Sequence, residues 1–269
     1  MVSSFFRYLL TLRSSEIQNS ELRRSALIFS PHPDDESLGC GGTIIKKKQA
    51  GATVKLVHMT DGAGSHRHLI SAQELRTIRR RESVNAARVI GVDQTYFLDF
   101  EDGALSESVG AAAERILEIL RREEPEEVFV PHRCEPMQQA ADHIAATQIV
   151  MAALGSYRKR VAVWEYPVWF WLHWPWVSLK SSCPPIRTRH IVRNTAQSLL
   201  GLRAFWDLAY SVNISGVIHQ KSAAISEHKS QMTRLISESS WTTLGDVSKG
   251  QFLDSFYYSH EFFRRSVIE

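Results

Sequence analysis

A doubly wound α/β fold, with a mostly parallel sheet and helices on both faces, is what this sequence predicts, followed by an aromatic-rich C-terminal extension. Two observations carry the prediction. Short apolar runs alternate with longer stretches of helical periodicity from residue 26 to residue 166. Residues able to do chemistry recur where those runs end, and in such sheets the working crevice lies beyond the carboxyl ends of the strands.

Residues 26–30 (ALIFS) read as the first strand, and 37–50 as a helix closed by Gly51. Residues 53–59 (TVKLVHM) form a second strand ending at Thr60-Asp61-Gly62. A basic amphipathic helix spans 71–90 and stops at Gly91. Residues 94–100 are a short third strand. Ile116, Leu117 and Leu120 set helical spacing over 108–122. Residues 127–130 are a fourth strand, 138–154 a helix and 161–166 a fifth strand. Beyond 166 the pattern is irregular. Residues 168–176 (VWFWLHWPW) hold four tryptophans, which either cover the core or wall a sugar or lipid site. A late amphipathic helix is expected over 217–237, and 252–265 closes the chain with many aromatics. The division is a 1–24 extension and a single domain over 25–269, its core at 25–170 and its extension at 171–269.

The 269 residues are 43% apolar and 23% charged, which fits a globular chain. A net charge of +3 lacks the basic excess of a nucleic-acid binder, so no nucleic-acid partner is expected. Cys40, Cys134 and Cys183 are odd in number and far apart, as in a reducing, cytoplasmic setting. No apolar run reaches the roughly 20 residues of a membrane span. Residues 1–13 carry Arg7 within an apolar run. They read as a helix packed on the domain, as a disordered leader, or as a peripheral membrane contact.

The densest chemistry is Pro31-His32-Pro33-Asp34-Asp35-Glu36, directly behind the first strand. One imidazole and three carboxylates suit a divalent metal held by one nitrogen and one carboxylate, with a second carboxylate free to take a proton from water. A plain helix cap would need neither the histidine nor two adjacent aspartates. Gly39-Cys40-Gly41-Gly42 suggests dinucleotide binding, but Ile44 stands where the third glycine belongs and the acidic turn would repel a pyrophosphate. No G-x-S-x-G elbow is present. His143, after the fourth strand, can point back into the crevice and complete a His/Asp/His set with one position open. Asp142 beside it suits orienting a histidine.

These pieces resemble the LmbE-like, PIG-L superfamily of zinc-dependent N-acetylglucosamine de-N-acetylases. The P-H-P-D-D-E signature is present residue for residue, followed by Thr60-Asp61-Gly62, Arg79-x-x-Glu82, Ile90-Gly91-Val92, Asp102-Gly103 and Asp142-His143. Residues 25–170 carry the resemblance, and Lys221 with His228-x-Ser230-Gln231 echoes the tail of many members. It implies a Rossmann-like fold, His32, Asp35 and His143 as metal ligands, and Asp34 as general base. Arg79 and Asp102 are implied to contact substrate or shape the site. The implied metal is Zn²⁺, although a His₂Asp set also accepts Fe²⁺ or Co²⁺. The implied partner is an acetylated amino sugar, as a small molecule or lipid-linked. One position departs from the family: its usual H-P-D-H reads Ala140-Ala141-Asp142-His143 here. The first histidine of that motif is held to support the oxyanion or the leaving amine. His132 is the expected substitute, with His66 and His68 as further alternatives. Ala140 also admits a catalytically impaired sugar- or glycolipid-binding protein, and a metal amidase for a non-sugar amide is a third reading.

Overall fold

A computed structural model describes residues 2–136, 140–180, 187–237 and 240–269. The elements in chain order begin with α1 (Val2–Arg13), β1 (Ser15–Glu16), α2 (Asn19–Leu22) and β2 (Ala26–Ser30). They continue with α3 (Asp35–Gly39), α4 (Gly41–Gln49), β3 (Val54–Thr60), α5 (Ala72–Ile90), β4 (Gln94–Phe100) and α6 (Val109–Glu123). Next come β5 (Glu127–Pro131), α7 (Ala141–Tyr157), β6 (Val161–Tyr166), α8 (Thr188–Gln197) and α9 (Ala204–Asp207). The chain closes with β7 (Tyr210–Asn213), α10 (Ile218–Glu227), α11 (Lys229–Met232) and β8 (His260–Ile268).

The sheet runs β1-β7-β8-β6-β5-β2-β3-β4. The five strands β6, β5, β2, β3 and β4 are parallel. From β2 the chain steps outward to β3 and β4, then returns to lay β5 on the other side of β2. The direction of winding therefore reverses at β2, the point where doubly wound sheets open a crevice. Side chains alternate across the sheet as the strand period of two requires. Ile28, Leu56 and Val54 join Ile44, Ile90 and Ile225 on one face. Leu27, Phe29 and Val57 join Ile116, Leu120 and Ile149 on the other.

The predicted strands 26–30, 94–100 and 161–166 coincide with β2, β4 and β6. Three expectations need correction. The helix expected over 37–50 breaks at Cys40 into α3 and α4. The helix expected over 217–237 breaks at His228 and ends at Met232. The closing aromatic stretch, expected to be irregular, has a 3₁₀ turn at Leu253–Tyr257 and then enters the sheet: β8 pairs antiparallel with β6 and with β7. Its partners lie about a hundred and about fifty residues earlier in the chain, so no local periodicity announces it. The helix expected over 138–154 appears as α7, and its expected first two residues lie outside the described residues, as does Cys183. In the Trp-rich segment, Phe170, Trp171, Leu172 and Trp176 are buried and Trp169 stacks on Phe252 at 4.8 Å. These rings cover the core.

The glycine-rich turn has its own explanation. Glu261 of β8 accepts hydrogen bonds from the Gly42 and Thr43 amides (2.8 and 2.7 Å) and pairs with buried Lys221 at 2.7 Å. The N-terminus of α4 thus receives a carboxylate of the protein itself. A Cβ on Gly42 would lie 2.7 Å from Ile214, so close packing fixes the residue. Glu261→Ala leaves the Lys221 ammonium buried and unpaired, and a loss of about 3–5 kcal/mol is expected in denaturant unfolding. A loss below about 1 kcal/mol would contradict this account.

Candidate metal centre

The turn after β2 is built by its neighbours. Thr60, at the end of β3, donates its amide and hydroxyl to the Pro31 carbonyl (3.0 and 2.7 Å). Arg79 of α5 reaches under the turn and donates to the carbonyls of Gly62 (2.8 Å) and Pro33 (2.7 Å). Gly62 has φ +65, and a Cβ there would strike Pro33 at 2.7 Å, so the Thr-Asp-Gly turn requires glycine. Asp34 sits at φ 148, ψ −28, a strained conformation that costs on the order of 1–3 kcal/mol and persists only where surroundings enforce it. The Glu36 carboxylate enforces it by accepting the Asp34 amide at 3.3 Å.

His32, Asp35 and His143 each offer one ligand atom, and all three lie within 4.8 Å of one another. His32 Nδ1 is 3.1 Å and His143 Nε2 is 3.2 Å from Asp35 Oδ2. His143 is fully buried, and its Nε2 has no hydrogen-bond partner among the described residues. Two imidazole nitrogens converging on one carboxylate oxygen, one of them an orphan, are a donor set that fits a divalent cation. On its far side, His32 Nε2 faces Asp142 (3.2 Å) and Asp102 (3.2 Å). These carboxylates fix the ring so that Nδ1 faces Asp35. Asp142 is fixed in turn by the amides of Gly103 (2.7 Å) and Leu105 (3.2 Å), and Asp102 by that of Gly64 (2.7 Å).

Electrostatics separate the adjacent aspartates. Burial would raise the Asp35 pKa, but His143 and His32 outweigh it and hold the group well below the usual carboxylate range. Burial pushes Asp34 up to about 7, against the pull of Arg79, whose Nη2 lies 3.2 Å from its carboxylate. Burial would lower His32; Asp102, Asp142 and Asp35 outweigh it and carry it well above its ordinary value. One aspartate is thus a permanent anion facing two imidazoles, and its neighbour is poised to gain or lose a proton near neutrality.

Arg79 is buried and its contacts run to the two turns and Asp34, so it shapes the site. Asp102 likewise makes its side-chain contact to His32. His132, fully buried at the end of β5, has its contacts elsewhere. Its Nδ1 accepts from the Cys134 amide, its Nε2 lies 3.8 Å from Asp207, and its ring meets Phe170 edge-on at 4.9 Å. These contacts do not reach Asp35. His66 stacks on Trp241 at 4.2 Å and bonds the Thr242 carbonyl, and His68 is exposed. Ala140 is buried at the start of α7.

Sequence reading gave no role to the polar layer beneath the turn. Glu36 accepts from the hydroxyls of Ser30 (2.9 Å) and Ser37 (2.8 Å) and faces His228 at 3.6 Å and His58 at 3.9 Å. Glu82 accepts the amide and hydroxyl of Ser230 (2.9 and 2.7 Å). The Glu36, Glu82 and His228-x-Ser230 signals were visible, but their joint purpose, bracing the floor of the turn, appears only in three dimensions.

Burial lowers three histidines, His58, His132 and His173, to about 4. Unfolding returns each to about 6.5. At these three positions the unfolded chain binds more protons between those values, which outweighs the opposite contribution of the raised Asp34, so stability falls as pH drops from about 6.5 toward 4. The slope is up to about 1.4 kcal/mol per group per pH unit. Urea unfolding at pH 7 and pH 5 should show it; equal stability would refute it.

Fold and site together define an α/β protein with a candidate metal centre at the reversal point of its sheet. Residues 27–154, just under half of the chain, match the family described as PIG-L, GlcNAc-PI de-N-acetylase. The diacetylchitobiose deacetylase of Thermococcus kodakarensis is 34% identical over 121 residues, 45% of each chain, so the match spans about half of that relative's length. The 1D-myo-inositol 2-acetamido-2-deoxy-alpha-D-glucopyranoside deacetylase 2 of Saccharopolyspora erythraea is 32% identical over 179 residues, covering 55% of this chain and 65% of that one. The solved N,N'-diacetylchitobiose deacetylase of Pyrococcus horikoshii has the same fold, with a TM-score of 0.67 at 22% identity over 97% of this chain and 90% of that one.

Proposed function

We propose that this protein is a metal-dependent hydrolase that removes the acetyl group from an N-acetylglucosamine-type amino sugar. The observation that carries the reading is the division of labour between neighbours: Asp35 faces His32 and His143, whereas Asp34 is turned away on strained backbone against Arg79 with a pKa near 7. A site built only to bind a cation has no use for that second carboxylate. The deacetylase activity of the relatives supplies the substrate class.

His32, Asp35 and His143 would hold the metal, Zn²⁺ by preference and Fe²⁺ or Co²⁺ by chemistry, while Asp102 and Asp142 fix the His32 ring. A cation bound there acidifies water and polarises the acetamide carbonyl. Asp34 takes the proton from the attacking water. Protonated, it can then return that proton to the sugar nitrogen as the C–N bond breaks, releasing acetate and a free amine. One carboxylate serving as base and then acid removes the need for a histidine at position 140, and leaves His132 outside the chemistry. Arg79 keeps Asp34 in place.

Acetate release from a panel of N-acetylglucosamine mono- and disaccharides and glycosides, by metal-loaded protein, tests this. Release is expected. Its absence across the panel, with one equivalent of metal bound and sugar binding retained, would favour the binding-protein reading that Ala140 admits; release only from non-sugar acetamides would make the protein a different amidase.

A further inference from the structure

Among the described residues, ten of the fifteen large apolar side chains that stand exposed come from residues 2–12 and 179–206. In α1 the inward face buries Arg7 and Leu10, yet Val2, Phe5, Tyr8 and Leu12, spaced three and four apart, form an outward stripe 51–65% exposed. A helix apolar on both faces is ordinarily buried on both. The turn between α8 and α9 adds Leu199, Leu200 and Leu202, and α9 adds Trp206, each 47–60% exposed. Leu199 and Leu200 both have positive φ (53 and 56), a left-handed conformation that leucine rarely adopts, and it projects two consecutive leucines into solvent. The pieces are continuous. Phe6 lies 6.0 Å from Phe205, Arg13 Nε donates to the Phe205 carbonyl at 2.8 Å, and Val2 and Leu179 line one cavity of about 720 Å³.

Charge identifies the occupant. Residues 2–13 and 167–208 hold seven Lys and Arg against a single carboxylate, Asp207, which Arg203 already pairs at 2.9 Å, and the cavity between them adds one more, Asp254. Arg13, Lys180, Arg187 and Arg189 are exposed around the apolar stripe. A second copy of this chain would bring like charges together across such a face, whereas an anionic bilayer answers both features: acyl chains take the leucines and aromatics, and headgroups take the guanidinium and ammonium groups. We propose that α1 and the α8–α9 turn form an interfacial membrane-docking surface selective for anionic lipid. The proposal does not depend on the deacetylase reading.

Sedimentation of the full chain with phosphatidylcholine vesicles, with and without phosphatidylserine, tests it. Binding is expected only with phosphatidylserine and should weaken as salt rises. The double variant Leu199→Ser, Leu200→Ser should bind at least about tenfold more weakly, and so should Arg187→Ser with Arg189→Ser, while the far-ultraviolet spectrum and melting temperature stay unchanged. Because all four side chains are exposed, loss of fold is not the expected cause of lost binding. Failure of the native chain to sediment with either vesicle overturns the proposal. So does a native dimer that the leucine variant converts to monomer with no change in lipid binding, which would assign the face to self-association.

Discussion

Asp34→Asn is expected to lower acetate release by about 10²–10⁴-fold, the usual contribution of a positioned acid–base group, while the bound metal stays at the native level. The amide preserves the volume of the side chain but cannot take a proton. The metal is retained because the convergent atoms belong to His32, Asp35 and His143, and Asp34 is turned toward Arg79 instead. Metal analysis and turnover measured on the same sample separate the two effects. Full turnover would remove Asp34 from the chemistry; loss of metal together with turnover would make it a ligand. His132→Gln in the same assay is expected to stay within about tenfold of the native rate, because the His132 contacts run to Cys134, Asp207 and Phe170. A loss as large as that of Asp34→Asn would restore His132 as the substitute for the residue missing at position 140.

His143→Gln is expected to empty the site. The replaced imidazole is buried and its Nε2 faces Asp35 with no other partner among the described residues, so nothing nearby can take its place. Metal affinity should fall further than the roughly 10–100-fold expected for Asp142→Asn, which leaves all three donors but loosens the His32 ring. The order of the two variants, measured by competition with a chelator, is the discriminating result. A native metal content in His143→Gln would exclude the residue from the ligand set, and equal effects would mean that Asp142 itself binds the ion.

The centre of this protein is unusually local in sequence. His32, Asp34, Asp35 and Glu36 are neighbours in the chain, so a single turn displays most of the chemistry before any folding is considered. The alternation of strand and helix around that turn places it at the carboxyl edge of a parallel sheet, because apolar runs of that length and spacing have few other ways to bury both faces. For the same reason β2, β4 and β6 were legible to the residue.

Partnerships between distant segments were not legible. Asp142 was expected to orient a histidine, but that this histidine is His32, and that Asp102 joins it on Nε2, depends on residues seventy and more positions away. The strain at Asp34 depends on Glu36 beneath it and Arg79 beside it. Ile44 and the acidic turn already spoke against a phosphate loop at the glycines after the first strand, but that Glu261 of the last strand occupies the helix N-terminus appears only in the fold. The aromatic C-terminus reads as irregular because β8 completes its hydrogen bonds with β6 and β7, and a mixed edge leaves no period of its own. The sequence by itself determined the class of fold and the identity of the converging donors and carried the family resemblance, since each rests on residue types and short-range spacing. The resemblance already set Asp35 among the ligands and Asp34 apart from them; only the tertiary structure shows how the two neighbours are held in different surroundings. That difference is made by backbone strain, burial and the position of one arginine, none of which a linear spacing encodes.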